Sequence, residues 1–339
     1  SQTTSVAYDR TDNPVQVTDP RNNLYAYAYD SISRLVRTTD QGGSQVNLTR
    51  DGQDSVVAYA DPRSLVTAYV RNGFGEVIRE TSPDAGVTTY VRNLRGLVTQ
   101  ATDGRGIVSN MTYDNAGRLL TMKYPAATAE NVTYSYDSVV APNKGIGRLT
   151  KITDQSGTTE FTYNALGQIT ADKRTIAGKI YTTGYLYNAS GNITQVTYPS
   201  GRIVTYARNS NGQVASVTTR QTSASAAVNV ATGITYRPMS NLVSSLTHGN
   251  GLVTTAGYDL DYRLTSLQLK NGAAFVANLG YTYGDGMNLT SIAANLVPAN
   301  TVSLWYTPAS RLQNASGSSR RSHFSYARLC NRHSAITPP

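Results

Sequence analysis

The 339-residue chain has one cysteine, Cys330, so no internal disulfide can hold it together. It has no run of 18 apolar residues, which excludes a membrane-spanning helix. Its first thirty residues alternate Tyr, Thr, Asp and Arg and contain no apolar core of a signal peptide, so the chain itself sets no cellular address. Charged residues make up only 15% of it, too few for an ordinary helical protein with salt-bridged surfaces. Phe (4) and Trp (1) are scarce, and there are no phosphate-loop or dinucleotide fingerprints. No nucleic-acid-binding motif is present either.

What is abundant is Tyr, with 24 residues, together with Thr, Ser, Asn and 28 Gly. That mixture favours strands joined by frequent turns, with almost no helix. A single phrase also recurs. Tyr8-Asp9, Tyr29-Asp30, Arg50-Asp51, Arg71-Asn72, Arg92-Asn93 and Tyr113-Asp114 follow one another in five steps of 21 residues. The series then loosens, with steps of 20 to 28, through Tyr136-Asp137, Tyr163-Asn164, Tyr187-Asn188, Arg208-Asn209, Tyr236-Arg237, Tyr258-Asp259, Tyr283-Gly284, Tyr306-Thr307 and Tyr326-Ala327. A period of this kind outranks the length-based expectation of two or three domains and argues for one array over 1–339, with a degraded last unit and flexible tail at 326–339.

Each unit reads as two strands and two turns. In the unit 147–167, Thr158 to Tyr163 alternates, placing Thr159, Phe161 and Tyr163 on one face. Tyr25, Tyr27 and Tyr29 likewise oppose Leu24, Ala26 and Ala28, so stacked units are expected to build an aromatic ladder across neighbouring strands. One turn is an Asp-Pro-x-Gly type, as at Asp19-Pro20-Arg21-Asn22 and Asp154-Gln155-Ser156-Gly157. The other follows the signature tyrosine: Asp114 to Gly117, Asn164 to Gly167 and Asn188 to Gly191. Asp and Asn accept from nearby amides there and Gly takes positive φ. Repeated carboxylates could also signal metal or acid-base chemistry, but their recurrence in every turn marks punctuation. Longer hairpin loops are expected between Tyr136 and Ser240, including the Ser/Ala-rich segment Thr222 to Thr232.

Fifteen such units give about 30 strands, an edge-to-edge sheet on the order of 140 Å long at ~4.8 Å per strand. Open twisted sheets rarely exceed about ten strands without curling. The expected fold is therefore all-β: a long antiparallel sheet of about fifteen two-stranded repeats, curled into a spiral or partial hollow shell.

The phrase Tyr113-Asp114-Asn115-Ala116-Gly117-Arg118-Leu119, with looser copies at Asn164 to Ile169, Asn188 to Ile193 and Asp259 to Leu264, resembles the YD-repeat or Rhs-repeat proteins: bacterial Rhs proteins, Tc-toxin C components and teneurin shells. The resemblance runs end to end. It implies a β-sheet shell that encloses cargo, and a secreted or cell-surface bacterial setting. Members that enclose a toxin continue into a plug with an Asp-Pro-x-Gly-Leu-like motif and an effector. Neither follows Thr337-Pro338-Pro339, so self-cleavage and toxicity are not expected of this chain.

The signature residues are accordingly expected to be structural: Tyr8, Asp9, Tyr29, Asp30, Tyr113, Asp114, Gly117, Arg118, Leu119, Tyr136, Asp137, Tyr163, Asn164, Gly167, Tyr187, Asn188, Gly191, Tyr258, Asp259, Tyr283 and Tyr306. No catalytic, metal or cofactor site is expected. Cys330-Asn331-Arg332-His333 is a CxxH without a second ligand pair, and the histidines His248, His323 and His333 define no triad. Asn-x-Ser/Thr sequons, as at Asn47 and Asn131, read as Asn-rich turns. Open strand edges invite self-association. The net charge of +9, carried by 24 Arg and 6 Lys against 21 acids, is spread through the units; it and the tyrosine rows also fit a glycan- or polyanion-binding surface, the second reading beside a non-enzymatic shell. An enzyme is the third, and it would need a compact pocket that no repeat announces.

Overall fold

The computed structural model describes residues 3–284, 288–307 and 312–317, and beyond these the strands Arg320–His323, Ser325–Tyr326 and Arg332–His333. Cys330, most of the tail 326–339 and the turn residues after Tyr283 and Tyr306 lie outside the described residues. Strands from Ser5–Tyr8 to Arg320–His323 belong to one antiparallel sheet that does not close into a barrel. Helix is confined, among the described residues, to two single 3₁₀ turns at Thr128–Glu130 and Pro298–Asn300.

Two compact units are distinguished. The first comprises Ser1–Val108 and Gly280–Pro339, the second Ser109–Leu279. In the first, strands from Ser5–Tyr8 to Val98–Thr102 pair each with the next as a meander. In the second the same pattern runs from Val108–Tyr113 to Leu264–Asn271. The local cause is the turn chemistry, because a two- to three-residue loop leaves the next strand nowhere to go but alongside.

Among the described residues neither unit has a conventional core. Among the described residues only Val196 and Ile203 are buried hydrophobics, Asn143 and Thr150 are the buried polar residues, and no large side chain is fully enclosed. Stability comes instead from the ladder and from half-buried side chains lying along the sheet.

The register corrects the aromatic ladder. Tyr27 sits opposite Thr38, Tyr69 opposite Glu80, Tyr134 opposite Ile152 and Tyr185 opposite Val196. Most tyrosine-bearing strands alternate with strands that carry none, which sets their rows two strand spacings apart, about 9.6 Å; the paired strands Val56–Ala60 and Val66–Arg71, with Tyr59 and Tyr69, are an exception. Ring centroids in contact lie about 4.5–7 Å apart. Directly across the ladder these tyrosines therefore face Thr, Glu, Ile and Val side chains and not other rings. A second correction concerns Thr222 to Thr232: residues 228–232 already belong to the strand Val228–Tyr236, leaving only the preceding stretch as loop.

Candidate functional site

The repeated hairpin end is the site on which the chain spends its distinctive residues. At Asp114 the backbone N–H donates to the Arg118 carbonyl at 3.0 Å, and the Gly117 N–H donates back to the Asp114 carbonyl at 3.0 Å. Gly117 has φ 83°. The ladder skips a residue where Tyr113 faces Leu119, so the turn is a three-residue loop closed by a bulge. Gly167 and Gly191 take the same left-handed position, at φ 80° and 78°, whereas Asp12, Ser33 and Tyr262 adopt it without glycine.

The Asp or Asn works with both arms. Its Oδ1 accepts two backbone N–H groups, two and four residues on: Thr11 and Asn13 at Asp9, Ile32 and Arg34 at Asp30, Leu166 and Gln168 at Asn164, Ser190 and Asn192 at Asn188, Asp261 and Arg263 at Asp259. The second arm selects its partner by polarity. Asp presents an acceptor, and Arg34, Arg118 and Arg263 donate Nε–H to Asp30, Asp114 and Asp259 at 2.6–2.7 Å. Asn presents a donor, and an acceptor stands in the same place: Asn72 donates to Glu76 and Asn164 to Gln168, both at 2.7 Å.

The signature tyrosine has its own task. The hydroxyls of Tyr29, Tyr136, Tyr163, Tyr187 and Tyr258 donate to the backbone carbonyls of Pro14, Leu119, Leu149, Ile169 and Val243 at 2.7–3.1 Å. Each carbonyl opens the preceding strand, so the phenol takes up a main-chain acceptor at the mouth of the hairpin. Where arginine replaces tyrosine the bond persists. Arg50, Arg71, Arg92 and Arg208 donate to the carbonyls of Leu35, Val56, Val77 and Ile193 at 3.1–3.2 Å. Arg71, Arg92 and Arg208 donate also to their own turns, at Gly75, Gly96 and Gly212. Sequence reasoning aligned these arginines with tyrosines but missed why; a long side chain with a terminal donor is the shared property. Tyr8, Tyr113, Tyr283 and Tyr306 occupy the same strand-end position.

Tyr163→Phe should thus lose one part-buried hydrogen bond and cost about 1 kcal/mol. Tyr163→Arg should recover most of that in urea unfolding. Equal losses for the two variants would rule out a donor role.

The densest node surrounds Arg118. Its Nε meets Asp114 at 2.6 Å, its two terminal nitrogens meet Asp137 at 3.0 and 2.6 Å, and its guanidinium lies 4.4 Å from the centroid of Tyr136. Asp137 also accepts from the Gly147 N–H at 2.6 Å. Asp137 bridged to Arg118 has its carboxyl held below the usual range, and the carboxylates raise the pKa of Arg118 in turn, Asp137 first. Hydrogen bonding from the Asn13 side chain, then its N–H, lowers Asp9 to about 2. Hydrogen bonds from Arg118 and Arg105 lower Asp114 and Asp103, from the Arg118 backbone N–H in the first and the Arg105 side chain in the second.

Depressed carboxyl pKa values stabilise the fold above their unfolded value near 3.8, and the stability is lost as pH falls through the folded values, to about 2 at Asp9. The melting temperature should stay level from pH 7 to about 5 and drop between about pH 4.5 and 2. A variant with Asp9, Asp30 and Asp103 changed to Asn should show a shallower acid limb in calorimetry. An unchanged limb would place the acid sensitivity elsewhere.

Among the described residues no three His, Cys, Asp or Glu side chains come together to hold a metal. A cleft of about 570 Å³ between the turns at 209–213 and 237–241 is lined by Asn209, Asn211, Gln213, Arg237 and Asn241 among others, and includes neither carboxylate nor histidine. No helix among the described residues is long and apolar enough to cross a membrane.

Fold and site together define a β-repeat array whose recurring element is a Tyr/Arg-Asp/Asn hairpin end. The teneurin YD-shell family matches residues 88–247 and the RHS-repeat family residues 8–45. Over these two stretches the chain carries the repeats of the YD-shell, or Rhs, family. Its backbone is similar to that of the Photorhabdus luminescens Tc holotoxin pore with a TccC3 mutation, at TM-score 0.76 and 15% identity over 96% of this chain and 21% of that one. It is similar also to TcdB2-TccC3 without its hypervariable C-terminal region (0.76, 14%, 96% and 21%) and to TcdB2-TccC3 (0.66, 14%, 96% and 23%). Identity at this level carries the fold alone, and the chain spans between a fifth and a quarter of the length of those chains. No curated protein matches it by sequence.

Proposed function

We propose that this chain is a non-enzymatic wall segment of a YD-repeat shell, with the signature residues from Tyr8 to Tyr306 acting as structural fasteners. The observation that carries this reading is the hairpin end itself. Asp, Asn, Tyr and Arg, the residues with chemical potential, are spent there on backbone donors and acceptors. A sheet with almost no core of its own is suited to being one layer of a larger enclosure. Hydroxyl-radical footprinting tests this. Tyr59 and Tyr181, exposed in the chain alone, should be protected in the cell that makes it and labelled in the purified protein. Equal labelling in both settings would sink the wall reading.

A polyanion-binding surface is the second reading, and one feature favours it. From Lys173 to Tyr258 inclusive there is no Asp or Glu, while five Arg and two Lys occur. Retention on a heparin column that yields only to high salt would support it, and elution at low salt would leave the wall alone.

A further inference from the structure

The sheet has a notch inside the second unit. The strand Lys179–Tyr187 pairs along its whole length with Ile169–Ile176 on one side, from Lys179 opposite Ile176 to Gly184 opposite Ala171. On its other side the strand Ile193–Thr197 begins to pair only at Gly184. That strand stops because the chain turns at Tyr198-Pro199, where the Tyr198 N–H donates to the Arg202 carbonyl at 2.8 Å and proline has no donor to continue a ladder. Residues 179–183 therefore keep one backbone edge without a strand partner among the described residues.

The polarity of that edge follows from the turn. Ala177 and Gly178, at φ 48° and 77°, form a two-residue loop, so Ile176 and Lys179 are the hydrogen-bonded pair beside it. The N–H and C=O groups of Lys179, Tyr181 and Thr183 point to the paired strand. Those of Ile180 and Thr182 point into the notch. Side chains there are uncovered, with Ile180 61% and Tyr181 43% exposed. No proline interrupts the edge, and its one charged residue, Lys179, lies at the loop end.

The notch is also positive. By register Tyr181, Thr183, Tyr198 and Arg202 share one face. Arg202 is exposed and donates only to neutral groups, Thr219 Oγ1 at 3.3 Å and Gln221 Oε1 at 2.7 Å. In the first unit the arginines of the corresponding turns, Arg21, Arg63 and Arg105, each pair with their own aspartate at 19, 61 or 103. The carboxylate on the paired strand, Asp172 opposite Thr183, is held by Arg174 at 3.1 Å. Lys179 has no ion pair among the described residues.

We infer that the notch binds an extended acidic peptide segment, which adds as a strand along Lys179–Thr183. Its backbone pairs with Ile180 and Thr182, its carboxylates face Arg202 and Lys179, and its intervening apolar side chains lie against Ile180. Strand addition draws affinity from main-chain bonds and specificity from alternate side chains. A polysaccharide could satisfy the cations but not the alternating N–H and C=O row. The inference stands apart from the wall reading.

The probe is a fluorescein-labelled nonapeptide alternating glutamate and valine, measured by anisotropy, with hydrogen exchange read at single amides. Binding in the micromolar range is expected, weakened about tenfold or more by Thr182→Pro, which removes a notch-facing donor only, and by Arg202→Gln. The Ile180 and Thr182 amides should exchange fast in the free protein and slowly with peptide, while Tyr181 is slow in both. Circular dichroism of Thr182→Pro should match the parent, and the exchange result holds the test where it does not. The inference is overturned by absence of binding at millimolar peptide, by equal binding of a lysine-valine peptide, by binding that leaves the two amides fast, or by hyaluronate protecting the same amides.

Discussion

Asn143→Ala is expected to cost about 3–5 kcal/mol, because it orphans two backbone groups at once. Asn143 is one of the few buried side chains in the chain. Its Nδ2 donates to the Phe161 carbonyl and its Oδ1 accepts from the Tyr163 N–H, both at 2.9 Å. The Lys144 N–H adds a bond to the Tyr163 carbonyl at 3.0 Å. The loop between Tyr136 and Leu149 thus acts as a surrogate strand for the end of Gly157–Tyr163, and one side chain closes the ladder. Asn143→Asp keeps the acceptor but sets a carboxylate oxygen against the Phe161 carbonyl, so it should cost at least as much as alanine. Urea unfolding gives the magnitude, and amide exchange at Tyr163 should rise well above that of distant strands, since neighbouring repeats in an array are coupled mainly to one another. A loss under about 1 kcal/mol for alanine would mean that water replaces both bonds.

Gly157→Ala should destabilise comparably, by about 3 kcal/mol, and for a reason of space as well as of φ. Gly157 has φ 137°, which residues with a side chain avoid, and a Cβ there would collide with the Thr175 carbonyl. Relief requires breaking the pair Gly157 with Ile176 and loosening the two hairpins that meet there. Gly147→Ala supplies the comparison. Its φ is 77° and nothing lies within 4 Å of the added carbon, so only the left-handed strain remains, about 1–2 kcal/mol. Melting curves of the two variants separate these contributions, and equal shifts would show that φ alone matters.

How far the chain can be read without its fold differs from feature to feature. The Asp114 to Gly117 turn was legible because its residues have local reasons to be there: an acceptor at the first position and freedom of φ at the fourth. The pairing of Asp30 with Arg34, against Asn72 with Glu76, was on the page as a four-residue spacing, and it needed only the recognition that two backbone amides occupy one oxygen and leave the other arm to choose. The aromatic ladder misled, since period-two alternation tells which face a tyrosine takes but not what stands opposite. Register decides that, and it places Val196 against Tyr185. Asn143 gave no signal, as an asparagine in a Pro-containing loop looks like any other turn residue.

The period, the two kinds of turn, the alternation of faces and the all-β class all follow from the order of the amino acids, because they depend on contacts within about twenty residues and recur often enough to average out drift. Which carbonyl each tyrosine or arginine meets, which glycine lies under a neighbouring backbone, and where a strand outruns its neighbour to leave one edge of 179–183 without a strand partner among the described residues emerge from the folded sheet. Those features depend on the relative lengths and offsets of adjacent hairpins. A repeat states what each hairpin is; how far each projects beyond the next is settled when the strands are laid side by side.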